Sequence, residues 1–482
     1  MTLETQIHMT KRLALRYLLY TTTGMALFSC KKNKTAPDPG PQNDNKYVND
    51  WIYESMKSDY YWTDNIPSNP DRTQAPGDFF YGLLKRPDDR FSWIVEDYKT
   101  LLASLSGVNK EAGYSVSLFL FGQSKLGAQI QYVKKNSPAE AAGLKRGDVF
   151  WGVNGKEYTY SSGADVDAFL SALEQNHTLR ISKIIPGSDG KDSSTAPGNP
   201  INLTVAEFAE NPVYLDSVYE INGKKIGYFM YNFFAPDKGD SSSLYDNQVD
   251  AVFGRLKARG VTSLVLDLRY NPGGDSRSTV NLASNIIKGF SADKVFFRRE
   301  YNKTLTAEIT KELGAGYFIQ KFSAEANNIG NQLDQVVVLT SRSSASASEL
   351  LINGLRPYMP VAIVGDTTYG KNVGSWSIYK TDDRRNTWGL QPIVTKSFNA
   401  EGKSDYTTGF VPDVVIKESF RMGTLGDVKE PLLYAALTRI LGTPPARMAA
   451  GETTARSLLR FVGGSQQRKA YANQLIEQKP NF

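Results

Sequence analysis

Three short polar segments each follow an apolar run typical of a buried strand, and together they hold residue types that could hydrolyse an amide bond. Residues 267–274 end in two glycines, whose backbone N–H groups could form an anion-binding nest. Residues 343–349 carry several serine hydroxyls at the predicted start of an apolar helix, and residues 365–371 end in a lysine. Because α/β sheets place their sites in loops at the carboxyl ends of strands, we expect the functional site in these loops.

The choice of a base for such a serine is restricted by the composition. A serine hydroxyl is a weak nucleophile until a base removes its proton. The chain has two histidines, His8 in a predicted leader and His177 beside a polar pair, and we expect His177 to be a surface loop residue. A lysine can replace histidine if burial lowers its pKa enough to give a neutral amine near pH 7. Residue types alone leave this open, because a serine at a helix start is usually a cap and a lone lysine is usually solvated.

The elements that must position these loops are short apolar runs separated by helical patterns. Such runs are typical of buried parallel strands with helices between them, which predicts an α/β domain over residues 215–420. The runs are residues 226–230, 263–268, 336–340 and 361–364.

A β-rich unit is predicted before this core, over residues 112–210. Its most specific stretch is residues 137–148, SPAEAAGLKRGD, in which Pro138 fits a first helical turn and Gly143 a helix C-cap. The unit resembles a PDZ domain. The resemblance implies that the loop and strand at Gly113, Tyr114, Ser115 and Val116 add a peptide to the sheet edge and hold its terminal carboxylate. A scaffold domain that binds no peptide is the alternative. A Ser/Gly/Asp/Pro-rich loop is expected over residues 187–199.

The two ends of the body have their own patterns. Residues 46–111 are rich in aromatic residues at helical spacing, which predicts a small helical N-terminal domain whose aromatics form its core. Residues 421–482 hold an amphipathic helix at 432–441 and then a polar stretch. The fold class we predict is therefore multi-domain: a helical N-terminal domain, a PDZ domain and an α/β core.

Taken together, the three polar segments, the PDZ pattern and GFVPD at 409–413 resemble the S41 family of C-terminal processing peptidases. The resemblance covers residues 113–416 and implies a ClpP/crotonase-like core. It implies that the nucleophile is Ser346, with Ser344 and Ser348 as rival positions, and that the base is Lys371. It implies an oxyanion hole made by the N–H of Ala347 and a glycine N–H, from Gly274 rather than Gly273.

One residue departs from the family pattern. Many members have a glutamine four residues after the lysine, and here that position is Ser375. A glutamine can position the lysine amine, whereas serine is shorter but polar, so Ser375 is a possible third catalytic member. Asp267 and Arg269 are expected to be structural, and Glu349 is left without a role.

The N-terminus predicts secretion and lipidation. Lys11, Arg12 and Arg16 precede or interrupt an apolar stretch too short to span a membrane, which fits a leader over residues 1–29. It ends in LFSC, which resembles a bacterial lipobox with Cys30 as the acylated residue, and residues 30–45 read as a flexible tether. A plain signal peptide with a chance cysteine is the alternative. We therefore expect a lipoprotein of the bacterial cell envelope, either periplasmic or anchored to the outer membrane.

The bulk composition limits the partners. The net charge is +6 over 482 residues, with no long Lys/Arg block, so we expect no nucleic-acid partner. One cysteine and two histidines argue against a zinc site, and we expect no metal and no cofactor. The predicted partners are protein or peptide substrates with free C-termini, and a membrane through the N-terminal lipid. The alternative functions are a PDZ-bearing pseudopeptidase that binds protein tails without cleaving them, and another hydrolase on the same fold.

Overall fold

The computed structural model describes residues 44–121, 124–186, 192–443, 460–465 and 473–480. The predicted leader, Cys30 and nearly all of the tether lie outside these residues. Within the described ranges, no helix is both long and apolar enough to cross a membrane.

The N-terminal region is helical and packs against the core. Asp44 caps its first helix by accepting the N–H of Tyr47 at 2.8 Å, and Pro76 begins the second. The first helix buries Val48 and Ile52 in a cluster that also contains Trp376 of the core. The elements are α1 (Asn45–Asp59), a 3₁₀ turn (Thr63–Asn65), α2 (Pro76–Gly82), β1 (Trp93–Val95) and α3 (Tyr98–Leu105).

The predicted PDZ unit is a six-stranded sheet with a helix over its apolar face. Its strands lie in the order β10 (Asp192–Ser194), β9 (Ser182–Pro186), β5 (Asp148–Phe150), β4 (Lys125–Val133), β3 (Tyr114–Phe121) and β26 (Arg460–Gly464). Its elements are β2 (Val108–Glu111), β3 (Tyr114–Phe121), β4 (Lys125–Val133), α4 (Pro138–Ala141), β5 (Asp148–Phe150), β6 (Gly152–Val153), β7 (Lys156–Glu157), α5 (Gly163–Leu173), β8 (His177–Arg180), β9 (Ser182–Pro186), β10 (Asp192–Ser194), β11 (Pro200–Leu203) and β12 (Ala206–Ala209). Strand β10 pairs antiparallel with β9, so the described part of the predicted loop at 187–199 is not wholly a loop.

The prediction that His177 lies in a surface loop is wrong. It begins β8 and is buried. Its Nε2 lies 2.7 Å from the hydroxyl of Tyr114, and its Nδ1 lies 2.7 Å from the carbonyl oxygen of Gln175. Burial lowers the pKa of His177. Its ring is therefore used in hydrogen bonds inside the PDZ unit.

The core is a six-stranded sheet, and all of its strands except the first run parallel. The strands lie in the order β13 (Val213–Ile221), β14 (Lys224–Tyr231), β15 (Ser263–Asp267), β19 (Gln335–Thr340), β20 (Val361–Gly365) and β25 (Val414–Val415). Helices cover both faces of its apolar strands, so the predicted multi-domain α/β class is confirmed. The elements are β13 (Val213–Ile221), β14 (Lys224–Tyr231), α6 (Leu244–Ala258), β15 (Ser263–Asp267), β16 (Gly273–Asp275), α7 (Ser276–Ile286), β17 (Val295–Tyr301), α8 (Lys303–Leu313), 3₁₀ turns (Ala315–Phe318 and Gly330–Gln332), β18 (Ile319–Lys321), β19 (Gln335–Thr340), α9 (Ala347–Leu355), β20 (Val361–Gly365), β21 (Val373–Ser375), β22 (Ile378–Tyr379), β23 (Gly389–Gln391), β24 (Ile393–Phe398), β25 (Val414–Val415) and α10 (Pro431–Leu441).

Two strands beyond α10 return to earlier parts of the molecule. Strand β26 (Arg460–Gly464) joins the edge of the PDZ sheet beside β3. Strand β27 (Gln474–Ile476) inserts between β16 and β21 in a second core sheet, ordered β16-β27-β21-β24-β17-β18. The sequence pattern predicts the helix at 432–441, but neither of these strands.

A buried ion network joins the PDZ unit to the core. Arg269, which has no exposed surface, pairs with Asp267 at 2.8 Å and with Glu430 at 2.6 Å. Arg146 of the PDZ unit pairs with Glu418 at 2.6 Å. Glu418 also accepts a hydrogen bond from Arg269, so the two arginines share a carboxylate.

Candidate active site

Ser346 lies in the segment that joins β19 to α9, directly before the first residue of that helix. It is the N-cap residue of that helix and has φ +60°, a left-handed conformation that a serine rarely adopts. Its side chain is buried, and its Oγ faces the N–H of Glu349 in a capping-box arrangement but makes no hydrogen bond of normal geometry in the described chain. A strained, buried and unpaired hydroxyl is costly for a fold and is typical of a functional position.

The two rival serines are used differently. The hydroxyl of Ser344 donates to the carbonyl oxygen of Leu268 at 2.8 Å, and that of Ser348 donates to the carbonyl oxygen of Asn271 at 3.0 Å. Both bonds fasten the serine loop to the neighbouring strand-end loop. Only Ser346 among the three has a hydroxyl left for chemistry in the described structure.

Lys371 is buried at the end of the third predicted segment, with 1% of its side chain exposed. Burial lowers its pKa to about 7, although the charges of Asp89 and Glu349 act in the opposite direction. Its Nζ lies 5.0 Å from the ring centroid of Phe91 and donates to Gln474 Oε1 at 3.1 Å. A substantial fraction of this amine is therefore neutral near pH 7, as a general base requires.

Glu349 fastens the serine loop to the lysine loop. Its Oε2 accepts the backbone N–H groups of Ser346 and Lys371, each at 2.8 Å. Its Oε1 accepts the N–H of Gly370 at 2.7 Å and the hydroxyl of Thr368 at 2.6 Å. Burial raises the pKa of Glu349 to about 7, while these four hydrogen bonds favour its charged form. One carboxylate thus sets the relative position of the two predicted catalytic residues.

The glycine pair of the first segment lies against Ser346 and against the backbone of Gln474 and Phe234. A Cβ on Gly273 would lie 2.3 Å from the carbonyl oxygen of Gln474 and 2.9 Å from Cβ of Ser346. A Cβ on Gly274 would lie 2.0 Å from the carbonyl oxygen of Phe234. Both have positive φ, +110° and +135°, so only glycine fits. These contacts bring the nest and Ser346 together.

The candidate oxyanion donors differ in how they are used. The N–H of Gly273 donates to Asn271 Oδ1 at 3.0 Å. Gly274 is itself the register partner of Leu475 in the pair formed by β16 and β27, so its choice over Gly273 as the oxyanion donor stays a prediction. Ala347 is the first residue of α9, and the first N–H groups of a helix have no acceptor within it.

Ser375 does not contact Lys371 directly among the hydrogen bonds of the described residues. Its hydroxyl donates to Gln474 Oε1 at 3.0 Å and accepts Nε2–H of Gln391 at 3.0 Å. Gln474 Oε1 thus receives hydrogen bonds from both Ser375 and Lys371. The predicted third member therefore reaches the lysine through a glutamine about a hundred residues away in the chain.

The N-terminal region forms one wall around the lysine. Phe91 places its ring near the amine, and Arg90 donates to the carbonyl oxygen of Gly370 at 3.1 Å. The buried carboxylate of Asp89 accepts the N–H of Phe91 at 3.0 Å and raises the pKa of Lys371. The small N-terminal domain thus contributes directly to the environment of Lys371.

A cleft of about 640 Å³ opens where the three segments meet. Each segment contributes to it, through Pro272, Ser343 and Tyr369, and Arg90 and Asn473 line it as well. The cleft thus reaches all three loops, although neither Ser346 nor Lys371 is among the residues that line it.

The predicted peptide-binding residues lie apart from these loops, at the start of β3 in the PDZ sheet. The edge of β3 at which the PDZ resemblance predicts a bound peptide is paired with β26. The N–H of Val116 donates to Ser465 Oγ at 2.9 Å. Near Ser465, Tyr114, Val116 and Leu170 line a cavity of about 770 Å³.

Most residues that surround Lys371 are not predicted by any pattern in the sequence. Asp89, Phe91, Gln391 and Gln474 carry no local motif that would mark them. Glu349 did carry one, because a serine followed three residues later by glutamate at a helix start is the spacing of a capping box. That spacing predicts that the glutamate carboxylate accepts the serine's N–H, as observed at 2.8 Å.

The fold and this site define a serine-type peptidase with an α/β core and a PDZ domain. Three family models match in the expected order: the peptidase S41 N-terminal domain at 47–93, a PDZ domain at 129–183, and peptidase family S41 at 225–416. The chain belongs to peptidase family S41, with its N-terminal and PDZ domains.

Relatives agree with this assignment. The chain is 25% identical over 359 residues to a carboxyl-terminal-processing protease of Picosynechococcus sp., covering 74% of this chain and 73% of that one. It is 24% identical over 372 residues to the carboxy-terminal processing protease CtpA of Bacillus subtilis, covering 75% and 67%. A crystal structure described as an S41 protease from Bacteroides fragilis is 28% identical, with a TM-score of 0.67, covering 81% of this chain and 97% of that one.

Proposed function

We propose that this S41 peptidase is a C-terminal processing endopeptidase that cleaves protein substrates with Ser346 as nucleophile and Lys371 as general base. The observation that carries the proposal is the Glu349 carboxylate, one oxygen of which binds the backbone of both residues. It holds an unpaired serine hydroxyl and a buried lysine in adjoining loops.

The proposed reaction begins when neutral Lys371 removes the proton of Ser346 Oγ as this oxygen attacks the scissile carbonyl carbon. The negative oxygen of the tetrahedral intermediate accepts hydrogen bonds from the N–H groups of Ala347 and Gly274, and one such donor typically contributes about 3–4 kcal/mol. The lysine ammonium then protonates the leaving amine. Water next attacks the acyl-enzyme, with Lys371 again accepting a proton, and releases the carboxylate product.

Recognition of substrate C-termini is assigned to the PDZ domain. Backbone N–H groups at the start of β3, among them that of Val116, are of the kind that hold a terminal carboxylate in PDZ domains. The apolar side chains of Tyr114, Val116 and Leu170 at the neighbouring cavity suit an apolar terminal side chain. The two relatives named as C-terminal processing proteases support the same assignment.

The test is cleavage of a peptide with a free carboxyl terminus by the native protein, Ser346→Ala and Lys371→Ala. We expect both variants to lose activity, while Ser344→Ala retains cleavage, since that hydroxyl is bonded to Leu268. Equal activity in Ser346→Ala and the native protein would overturn the dyad. Amidation of the peptide's C-terminus should reduce cleavage, and unchanged cleavage would contradict PDZ recognition.

We also propose that the mature chain is a lipoprotein of the bacterial cell envelope, acylated on Cys30. The support is sequence alone: the single cysteine of the chain follows a basic, apolar leader. Metabolic labelling with a radioactive fatty acid should mark the native protein and leave Cys30→Ser unlabelled. Equal labelling of both proteins, or of neither, would contradict the proposal.

A further inference from the structure

We propose that Gln474, supplied by the C-terminal strand β27, positions the Lys371 amine for catalysis. The inference rests on the proposed function, because it names a positioning residue for the proposed dyad. Gln474 Oε1 accepts from Lys371 Nζ at 3.1 Å and from the hydroxyl of Ser375 at 3.0 Å.

The orientation of the glutamine amide follows from its neighbours. Ser375 accepts Nε2–H of Gln391 and has one proton to donate. Of its two acceptors, Gln474 Oε1 at 3.0 Å is nearer than the carbonyl oxygen of Leu475 at 3.4 Å. The amide of Gln391 is oriented in turn by Ser377, whose hydroxyl donates to Gln391 Oε1 at 2.7 Å. This chain of hydrogen bonds turns the carbonyl oxygen of Gln474, and not its NH₂ group, toward the lysine.

The backbone of β27 fixes where this oxygen lies. Gln474 is the register partner of Gly273, and Leu475 is the partner of Gly274. On its other side, Ile476 is the partner of Ser375. The strand therefore lies between the predicted oxyanion glycines and the strand that follows Lys371.

The chemistry explains why a neutral acceptor suits this position. A neutral amine has two N–H bonds and one lone pair, so an acceptor for an N–H directs the lone pair elsewhere, toward a nucleophile's proton. A carboxylate at the same place would hold the proton on the lysine and raise its pKa. The other charges that act on Lys371 are those of Asp89 and Glu349. A glutamine carbonyl orients the amine without adding a third negative charge.

The experiment compares Gln474→Ala, Gln474→Glu and Gln478→Ala, the last being a matched glutamine of the same segment outside the hydrogen bonds to Lys371. We expect Gln474→Ala to lower kcat about 10- to 100-fold with little change in KM, a part of the 10²–10⁴-fold typical of general-base catalysis. Gln474→Glu should move the acidic limb of the kcat–pH profile to higher pH. Gln478→Ala should keep the native kcat and profile.

A second-site variant tests positioning against mere structural support. Adding Ser375→Gln to Gln474→Ala returns a carbonyl acceptor to the strand that follows Lys371, and we expect it to recover kcat. Native kcat in Gln474→Ala, or an unshifted profile in Gln474→Glu, would overturn the inference. Ser346→Ala is run in parallel: if the native activity survives that change, the dyad itself has failed, which is a different result.

A separate observation concerns the edge of the PDZ sheet. Strand β26 pairs antiparallel with β3, with Arg460 opposite Leu120 and Gly464 opposite Ser117. Its C-terminal end thus points toward the start of β3, the direction in which a bound peptide's carboxylate would approach. There Ser465 Oγ accepts the N–H of Val116 at 2.9 Å.

We infer that residues 460–465 act as an internal ligand that a substrate tail must displace from β3. This inference also rests on the proposed function, since it assumes that tails bind at this edge. The fit is close: a Cβ on Gly464 would lie 2.7 Å from the carbonyl oxygen of Val116. Gly464 has no strained φ, so a side chain there disturbs the pairing from the β26 side and leaves the sequence of β3 intact.

The test measures binding of a fluorescent peptide with a free, apolar C-terminal residue to the full chain carrying Ser346→Ala. We expect Gly464→Val to tighten binding about tenfold or more, and Ser465→Ala to tighten it less. Gly163→Ala, whose Cβ would enter open space on the helix α5, is the matched control and should leave binding unchanged. Circular dichroism checks that each variant is folded.

Unchanged or weaker binding by folded Gly464→Val would overturn the inference, because β26 would then be a structural strand of the domain. A peptide that binds none of the proteins would overturn the proposed recognition of C-termini, and this inference with it. Cleavage that depends on Ser346 would still support the dyad in either case.

Discussion

The surroundings of Ser346 and of Lys371 are assembled from different parts of the chain. Around Ser346, Gly273 lies close to its Cβ, Glu349 of α9 accepts its N–H, and Asn271 accepts the hydroxyl of the neighbouring Ser348. All three residues belong to the core. Around Lys371, the partners include Phe91 from the N-terminal region and Gln474 from the C-terminal strand. The serine environment is thus made within the core, and the lysine environment needs both ends of the folded body.

The difference has a physical reason. A hydroxyl needs an exposed helix start and backbone donors, which short loops supply locally. A lysine base needs removal from water, because burial is what lowers its pKa to about 7. Enclosing a long side chain takes more surfaces than the loop itself provides. The base therefore depends on docking of other segments, whereas the nucleophile does not.

The largest effect is expected where the two environments meet, at Glu349. Glu349→Ala leaves four donors without their acceptor, and each unsatisfied buried donor costs about 1–3 kcal/mol. We expect the free energy of unfolding to fall by about 3 kcal/mol or more, measured by urea denaturation. Because the two loops shift apart, kcat should fall at least about 100-fold.

Glu401→Ala is the control for this change, since Glu401 is half-exposed and pairs with Lys403 on the surface. It should alter stability by less than about 0.5 kcal/mol. Similar losses in the two variants would contradict the role given to Glu349 as the link between the loops.

The next effect is expected at the N-terminal wall. Phe91→Ala admits water to Lys371, and hydration favours the ammonium form, so the pKa of the lysine rises. We expect the acidic limb of the kcat/KM–pH profile to move up by about one pH unit, which lowers activity at pH 7 several-fold. The control is Phe121→Ala, which removes an exposed aromatic side chain of the PDZ unit and should leave the pH profile unchanged. A native profile for Phe91→Ala would show that the base is enclosed by the core alone.

Asp89→Asn changes the same N-terminal wall but should shift the pKa of Lys371 in the opposite direction. The charge of Asp89 raises the pKa of Lys371, so its removal lowers that pKa further. The acidic limb should move to lower pH by about half a unit, and the fraction of full activity at pH 6 should increase. Asp88→Asn is the control, because Asp88 is about half exposed and pairs with Lys85. A shift to higher pH in Asp89→Asn would contradict the electrostatic argument.

The smallest effect is expected at Ser375. Its hydroxyl reaches Lys371 only through Gln474, so Ser375→Ala removes one hydrogen bond from the relay and leaves the lysine's own acceptor. We expect kcat to fall about two- to fivefold, the range of one neutral hydrogen bond. If Ser375→Ala lowered kcat as much as Gln474→Ala does, Ser375 would not act on Lys371 only indirectly through Gln474.

The difference between the serine and lysine environments also explains which parts of the site could be predicted from the sequence. The loops at 267–274, 343–349 and 365–371 follow apolar strands, and the structure brings them together around Ser346 through contacts between adjacent strands. Local patterns therefore identified the three loops, and the family resemblance selected Ser346 and Lys371 within them. The segment around Asp89 and the strand at Gln474 have no such signature, because their role comes from where tertiary packing places them.

Short strands illustrate the limit. Strand β27 has three residues and β26 five, and neither has enough alternation to be distinguished from a loop. Each is ordered by the strand edges that it joins, so its pattern carries little independent information. The surface-loop prediction for His177 was wrong for the same reason, because tertiary packing decides its environment. Its polar neighbours in the sequence indicated a loop, whereas the fold buries it beside the hydroxyl of Tyr114.

The most direct test of the central claim is the rate at which a fluorophosphonate labels Ser346 as a function of pH. This reagent reports the reactivity of the hydroxyl without involving the PDZ domain or a leaving amine. In the native protein the rate should rise with pH along a single titration with a midpoint near pH 7, the pKa to which burial lowers Lys371. Lys371→Ala should label far more slowly, with no such midpoint. Labelling of Lys371→Ala at the native rate, or a rate independent of pH between 5 and 9, would contradict the assignment of Lys371 as the base.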